Sequence, residues 1–364
     1  MERIAANRLD RSFYKYQEEF EEAALSVLRS GWYVLGPRVE KFENEFAGYT
    51  GAKYAVGVAS GLDALILAFR VLGIGVGDEV IVPGNTYIAS VMGVTINGAT
   101  PVFAEPDEFY NIDASKIEAA ITEKTKAVLI VHLYGQACEA DRICEICKKH
   151  NLRLVEDCAQ SHGAKYNDRM TGTFGDIGCF SFYPSKNLGA FGDGGAVVTD
   201  DEKIAADLKM LRNYGSRKRY YFEEVGMNSR LDEMQAALLS VRLKHLDELN
   251  EERKEIAKRY LEGIHNESIL IPSVRKDATS VWHQFVIRTE RRKELIKYLE
   301  EKEIGSIIHY PIPPHLSECY KALGHKAGDF PITEKYANEV LSLPFYNGMT
   351  EEEEEYVIEA LNAF

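Results

Sequence analysis

The chain has 364 residues, 45% of them hydrophobic and 27% charged, and its formal net charge is −14. This length favours a large domain with a smaller one over a single simple core. The acidic balance argues against a nucleic-acid partner, apolar runs are too short for a membrane span, and the first residues lack the apolar core of a signal peptide. We therefore expect a cytoplasmic protein that contacts neither nucleic acid nor membrane.

Predicted helices and strands alternate along the first two thirds of the chain. A helical pattern over residues 12–30 ends at Gly31. Short apolar segments rich in β-branched residues then predict strands at 54–58, 79–82, 127–132, 153–157, 178–183 and 195–199. This alternation is typical of an α/β fold with a mainly parallel sheet, in which ligands bind at the carboxyl ends of the strands.

A long helical pattern over residues 233–260 leads into a distinct final section. We place the domain boundary inside it, with residues 1–248 as the large domain and 249–364 as a small C-terminal domain. The acidic run 351–355 is expected to form the first turns of the last helix, where negative charge suits the helix dipole. Six scattered cysteines predict free thiols, and the Cys144–Cys147 pair lacks a second pair at zinc spacing, so no metal is expected.

Lys186 and Asp157 are the residues from which a reaction can be inferred. Asp157 ends a predicted strand, and Lys186 follows the next one. A desolvated lysine can form a Schiff base with the aldehyde of pyridoxal 5'-phosphate (PLP), and a carboxylate beside the pyridine nitrogen keeps the ring a good electron acceptor. The pair therefore predicts PLP chemistry with both residues catalytic. Taken alone, Lys186 would be interpreted equally well as a surface lysine in a turn.

A phosphate site is predicted where Ser60 and Gly61 follow one strand and open an apolar helix. The amides of Gly61 and Leu62 would point at the anion with the helix dipole behind them. The hydroxyl of Ser181 would add a third anchor. A simple helix cap is the alternative for this segment.

The chain resembles the DegT/DnrJ/StrS family of sugar aminotransferases, which have the aspartate aminotransferase-like (type I PLP) fold. The resemblance runs nearly end to end and rests on ordered motifs: Gly36-Pro37, Ser60-Gly61, Asn85-Thr86-Tyr87, Glu156-Asp157-Cys158-Ala159-Gln160, the Lys186 run, Gly192-Asp193-Gly194-Gly195, the segment 226–232 and His309-Tyr310-Pro311. It implies a large domain with a mainly parallel seven-stranded sheet and a smaller C-terminal α/β domain.

The resemblance also implies a role for each residue of the cofactor site. Lys186 is then the Schiff-base lysine, Asp157 pairs with the pyridine nitrogen, and Gln160 hydrogen-bonds the ring hydroxyl. The other implied cofactor contacts are ring stacking by Tyr87 and phosphate binding by Gly61, Leu62, Ser181 and, from the neighbouring subunit, Asn228. A homodimer with shared active sites follows from that last role.

The substrate side is expected to be formed by Tyr183, His309, Tyr310 and His315, although the two from the proline-rich segment, His309 and Tyr310, could instead be packing residues. Two residues depart from the family pattern. Leu62 stands where threonine is common, so a phosphate would depend more on backbone amides and Ser181. Pro314 stands where leucine is common, and we have no functional account of it.

The motif Ser60-Gly61-Leu62-Asp63, with Asn85-Thr86-Tyr87 and Glu105-Pro106-Asp107, resembles the subgroup that aminates C3 of nucleotide-linked sugars. We therefore expect transfer of an amino group from L-glutamate to C3 of a TDP-linked 3-keto-6-deoxyhexose, giving a TDP-3-amino-3,6-dideoxyhexose of gluco rather than galacto configuration. The alternatives are a C4 aminotransferase acting on a 4-keto sugar and a PLP-fold binding or regulatory protein. A PLP-dependent dehydratase is disfavoured, because its relatives replace the lysine with histidine.

Overall fold

The computed structural model describes residues 3–364, which form a central sheet flanked by helices, with a second unit at the C-terminal end. The strands are β1 (Tyr54–Val58), β2 (Glu79–Pro83), β3 (Thr100–Ala104), β4 (Thr125–Val131), β5 (Arg153–Asp157), β6 (Lys165–Tyr166), β7 (Arg169–Met170), β8 (Ile177–Ser181), β9 (Gly195–Thr199), β10 (Val286–Arg288) and β11 (Val340–Ser342).

The helices are α1 (Leu9–Lys15), α2 (Gln17–Ser30), α3 (Pro37–Thr50), α4 (Gly61–Val71), α5 (Ile88–Thr95), α6 (Ala114–Ala120), α7 (Ala140–His150), α8 (Glu202–Leu211), α9 (Glu233–Lys244), α10 (Leu246–Gly263), α11 (Arg292–Glu301), α12 (Pro331–Glu339) and α13 (Glu351–Ala363). Short 3-10 segments lie at Leu133–Gly135, Pro314–Leu316 and Glu318–Leu323.

The central sheet confirms the predicted α/β architecture. It has seven strands in the order β1-β9-β8-β5-β4-β2-β3. The pairs from β8 to β3 are parallel, whereas β9 runs antiparallel to both β1 and β8. Strand residues are buried almost continuously, as expected of a sheet covered on both faces. Helices α4, α5 and α8 pack on one face, and α3, α6, α7 and α9 on the other.

A separate apolar core lies at the C-terminal end of the chain. Its members come from α10, α11 and α13 and from the two-stranded β10-β11 sheet. Ile4 belongs to this core as well, and it pairs with Ile304. The first described residues therefore pack with the C-terminal unit, although the predicted boundaries assign them to the large domain. The predicted division at residue 248 falls inside α10 and stays a prediction.

Two predicted long helices are each broken, and the breaks contact each other. The pattern over 12–30 divides at Tyr16, with φ −129°, and the pattern over 233–260 divides at His245, with φ −106°. The two rings stack at a centroid distance of 3.9 Å, and His245 Nε2 lies 2.8 Å from Glu19 Oε1. Both breaks thus coincide with a contact between distant segments, which the helical periodicity of either segment does not indicate.

Strand β3 was not predicted, because Pro101 interrupts its apolar pattern. It lies at the edge of the sheet, where a proline costs no ladder hydrogen bond. The acidic run does open the last helix, where Thr350 and Glu353 form a capping box. Among the described residues, no helix is long and apolar enough to cross a membrane.

Candidate active site

A cavity of about 430 Å³ opens where β4, β5 and β8 end. Val131, Asp157 and Ser181, the last residues of these strands, line it from the sheet side. The opposite wall comes from the C-terminal part of the chain and includes Gln284 and Tyr310. The site thus occupies the strand ends, as predicted, and has the size of a small-molecule pocket.

Lys186 lies in the turn that follows β8. Its amide donates to the carbonyl of Tyr183 at 2.8 Å, which closes the turn and directs the side chain into the cavity wall. Desolvation lowers the pKa of the Lys186 amine to about 8, and the nearby Asp157 carboxylate opposes that effect. The lowered pKa raises the neutral fraction of the amine near neutral pH, and only a neutral amine can act as a nucleophile or accept a proton.

Asp157 is held at the base of the cavity. The Ser90 hydroxyl donates to its Oδ2 at 2.7 Å, and the Ala159 amide donates to its Oδ1 at 3.1 Å. Burial raises the pKa of the carboxyl, while these two hydrogen bonds and the charge of Lys186 lower it. The carboxylate is therefore fixed in position and retains lone pairs for a cationic partner inside the cavity.

The start of α4 forms an anion cradle on another side of the cavity. The Ser60 side chain caps the helix by accepting from the Asp63 amide at 3.1 Å. In the described chain the amides of Gly61 and Leu62 have no acceptor, as is usual for a first helical turn. A Cβ built on Gly61 would lie 2.5 Å from the Ser181 Cβ, so glycine is needed for the helix start to approach Ser181 this closely.

Gln160 and Tyr87 lie in the cavity wall, where the resemblance expects them. Gln160 Oε1 accepts from the Tyr134 amide at 2.6 Å, and its Nε2 donates to the Tyr310 hydroxyl at 3.2 Å. A ligand hydroxyl would therefore compete with Tyr310 for the Gln160 amide. Tyr87 is 51% exposed, and its ring centroid lies 5.1 Å from that of Tyr310, so one face is free for a ligand ring.

The predicted substrate residues are only partly brought together. Tyr183, His309 and Tyr310 line the cavity. Burial lowers the pKa of His309 to about 4, so its ring is neutral and bonds to Ser342 at 2.8 Å. His315 does not line the cavity: it is buried against Phe330, and its Nε2 lies 3.2 Å from a Glu334 oxygen.

Asn228 lies outside the cavity of its own chain. It is exposed and pairs through its backbone with Asn213 in the segment before α9. The single chain thus brings together the other residues predicted to bind the cofactor and leaves this one on the surface. That placement suits a residue that serves a neighbouring copy, and the predicted role of Asn228 stays a prediction.

Sequence reasoning missed further cavity residues, among them Ser90, Thr86 as a functional residue, His283 and Gln284. The sequence presents Thr86 only as part of the Asn85-Thr86-Tyr87 motif, and that motif does not indicate a contact with Ser90, four residues further along the chain. His283 and Gln284 come from an irregular segment far along the chain. No local pattern could have found them, because only the folded chain brings them to the strand ends.

The residues present fit PLP. A phosphate would find the free amides of Gly61 and Leu62 and the Ser181 hydroxyl, the buried Asp157 carboxylate suits a protonated ring nitrogen, and Lys186 supplies an amine. All of these groups line one cavity, with anion-binding amides for the phosphate and a carboxylate for a protonated ring nitrogen.

Comparisons with known proteins agree with this chemistry. A family model described as the DegT/DnrJ/EryC1/StrS aminotransferase family matches residues 15–362. A dTDP-3-amino-3,6-dideoxy-α-D-galactopyranose transaminase of Aneurinibacillus thermoaerophilus is 53% identical over 351 residues, covering 96% of each chain. A dTDP-3-amino-3,4,6-trideoxy-α-D-glucose transaminase of Streptomyces venezuelae is 50% identical over 338 residues, covering 92% of this chain and 89% of that one.

Solved structures of related proteins superpose closely on this chain. The structure of S. venezuelae DesV in complex with a ketimine intermediate superposes with a TM-score of 0.98 at 48% identity, covering 100% of this chain and 98% of that chain. The structure of NtdA from Bacillus subtilis with bound cofactor PMP superposes with a TM-score of 0.90 at 31% identity, covering 97% of this chain and 83% of that chain.

Proposed function

The chain belongs to the DegT/DnrJ/EryC1/StrS aminotransferase family, and we propose that it moves an amino group from L-glutamate to C3 of a TDP-linked 3-keto-6-deoxyhexose. It is a transaminase whose cofactor is PLP. The choice of C3 is supported by two relatives, at least 50% identical, whose names place the amino group at C3. The Lys186–Asp157 site of this chain supplies the residues that amino transfer requires. The product would be a TDP-3-amino-3,6-dideoxyhexose.

Bound PLP supplies an electron sink that stabilises a carbanion next to the transferred nitrogen. In our proposal Lys186 moves the proton to and from that carbon, because its amine lies in the cavity and its pKa of about 8 allows both protonation states near neutral pH. Asp157 holds the ring nitrogen protonated from the base of the cavity. Gly61, Leu62 and Ser181 fix the phosphate, and Tyr87 covers one face of the ring.

The outer part of the cavity would bind the sugar through Tyr183, His309 and Tyr310. It offers little charge to a nucleotide diphosphate, because Lys186 is the one lysine or arginine among the residues that line the cavity in the described chain, and His309 is neutral. The cationic groups for the diphosphate must therefore come from outside this lining. A second copy of the chain is the source we propose.

Two surface features support a homodimer with shared active sites. The segment that precedes Asn228 carries three consecutive basic residues, 217–219, followed by the exposed rings of Tyr220, Tyr221 and Phe222. Trp32 and Tyr33 expose further apolar surface, at 57% and 52%. Exposed aromatic clusters of this kind mark protein interfaces. A cytoplasmic location, which we also propose, is supported by six cysteines that are all free.

The purified protein is incubated with PLP and L-glutamate in two separate reactions. One contains a TDP-linked 3-keto-6-deoxyhexose, and the other contains its 4-keto isomer. Mass spectrometry and NMR of the product then locate the nitrogen. We expect amination at C3 and formation of 2-oxoglutarate, with no product from Lys186→Ala. Nitrogen at C4 would overturn the proposed position, and PLP binding without any conversion by glutamate would identify a binding or regulatory protein instead.

The same incubation decides the configuration at C4 of the sugar. The expectation from the sequence is gluco, whereas the 53% identical relative carries a galacto name and the 50% identical relative a 4-deoxy sugar. Supplying both 3-keto epimers in competition gives a ratio of kcat/KM values. The preferred epimer is the one to assign.

A further inference from the structure

Two hydroxyl side chains form a chain of hydrogen bonds that ends at the Asp157 carboxylate. Thr86 precedes α5, and Ser90 lies in its first turn. Thr86 Oγ1 and Ser90 Oγ are 2.8 Å apart, and Ser90 Oγ is 2.7 Å from Asp157 Oδ2. The exposed fractions of Thr86 and Ser90 are 2% and 1%, so water does not compete for these bonds.

The direction of this chain of hydrogen bonds follows from counting protons. An ionised carboxylate only accepts, so Ser90 must donate its one hydroxyl proton to Asp157. Ser90 Oγ can then only accept from its other neighbour, and Thr86 must be the donor in that pair. Both hydroxyl dipoles therefore point towards the carboxylate, and consecutive hydrogen bonds of this kind strengthen one another.

Other groups near Asp157 cannot replace Ser90. The His132 ring is engaged elsewhere: its Nε2 lies 3.0 Å from Glu156, and its Nδ1 accepts from the Cys138 amide at 3.0 Å. In the proposed function, Lys186 binds the cofactor and moves the proton, so its amine is not a fixed donor to Asp157. The remaining titratable groups that face the carboxyl, Tyr310, Cys158 and Cys179, each have a pKa raised by burial and are neutral.

We propose that Ser90, supported by Thr86, is a positioning residue that keeps Asp157 ionised and turned towards the ring nitrogen of PLP. The inference rests on the proposed function of the site. Burial favours the protonated carboxyl, and the Ser90 hydrogen bond is the largest of the effects that oppose it. Without Ser90 the shared proton should move from the ring nitrogen to Asp157, which would weaken the electron sink.

The test compares Ser90→Ala, Thr86→Val, Thr86→Ser and the parent holoenzyme, each reconstituted with PLP labelled with 15N in the ring. The 15N chemical shift reports whether the ring nitrogen carries the proton. We expect a protonated nitrogen in the parent and a shift towards the unprotonated value in Ser90→Ala. Thr86→Val should give a smaller shift, and Thr86→Ser, which keeps the donor, should restore the parent value.

Kinetics give a second readout. Loss of a hydrogen bond to a charged group should slow the half-reaction with glutamate by about ten- to a hundredfold. The KM for both substrates should stay unchanged, because the Ser90 hydroxyl is bonded to Asp157 and Thr86. Thr95→Val is the matched control, since it removes a partly buried hydroxyl at the C-terminal end of the same helix, 3.0 Å from the Tyr320 hydroxyl and outside the cavity lining. It should leave both the 15N shift and the rate at their parent values.

An unchanged 15N shift in Ser90→Ala would overturn the proposal, as would an equal effect of Thr95→Val. If Ser90→Ala does not fold, the Thr86→Val and Thr86→Ser pair decides the question by the same resonance. The 15N shift needs only bound cofactor, so it can contradict this inference while the sugar amination stands. Conversely, a wrong sugar would leave the result for Ser90 intact.

Discussion

The inner and outer parts of the cavity differ in how completely one chain builds them. Around Lys186 and Asp157, one chain brings together an amine, a hydrogen-bonded carboxylate and the free amides at the start of α4. Around Tyr183 and Tyr310, the wall of the cavity is aromatic and contributes no lysine or arginine, and Asn228 lies on the surface. The difference supports our proposal that one subunit supplies the amino-transfer chemistry, whereas a second copy of the chain completes the site for a charged sugar nucleotide.

The largest effect is expected at the inner end. Lys186→Ala removes the amine that moves the proton, so turnover should be abolished while the folded protein still binds PLP through the phosphate cradle. Steady-state assays and the absorption spectrum of bound cofactor measure the two properties separately. A variant that transaminates near the parent rate would exclude Lys186 from the mechanism.

Asp157→Asn should follow in size. The amide keeps the shape of the carboxyl but lacks the charge that stabilises a protonated ring nitrogen, so the glutamate half-reaction should slow by about 10²- to 10³-fold or more. Stopped-flow absorbance of the cofactor measures this step directly. Asp176→Asn is the control. Asp176 is half-buried, pairs with Arg153 at the start of β5 and accepts from the Leu154 amide, but it does not line the cavity, so the rate should change little. An unchanged half-reaction in Asp157→Asn would leave Asp157 a structural role only.

Asn228→Ala tests the assembly-dependent part with a smaller effect. A charge-assisted hydrogen bond to the cofactor phosphate contributes roughly 1.5 to 3 kcal/mol, which corresponds to about a tenfold to hundredfold loss of PLP affinity. Equilibrium dialysis of the cofactor measures this loss. Unchanged affinity would show that Asn228 does not reach a phosphate in either subunit.

The smallest effect is expected at the outer wall. Tyr310→Phe removes a neutral hydrogen bond to Gln160, so kcat/KM for the sugar should fall by no more than about tenfold. Tyr336→Phe is a matched control, because its hydroxyl bonds the Asp107 carbonyl at 3.0 Å away from the cavity. Equal losses in the two variants would assign Tyr310 a general structural role.

The inner part could be predicted from sequence because its residues lie in contiguous motifs at strand ends. Asp157 ends β5, Lys186 follows β8, and Gly61 opens α4, so local patterns already indicate their places. The central sheet was predictable for the same reason, apart from the proline-interrupted edge strand.

The rest depends on contacts between distant segments. The Ser90–Asp157 bond joins a helix and a strand that are separated by two other strands along the chain, and no spacing rule indicates it. The sequence predicts His315 as a substrate-binding residue, but in the folded chain its ring is buried against Phe330 and not in the cavity. The breaks at Tyr16 and His245 likewise meet in one ring stack, which neither helical pattern indicates.

The most direct test of the contrast between the two parts is subunit mixing. Lys186→Ala and Asn228→Asp subunits are each expected to be inactive as homodimers, the second because a carboxylate would repel the phosphate. In a heterodimer, one of the two sites would draw both its lysine and its asparagine from unmutated copies. We predict that activity returns on mixing, in proportion to the heterodimer measured by native mass spectrometry. Heterodimers without activity would show that Asn228 serves its own subunit, which contradicts the shared site.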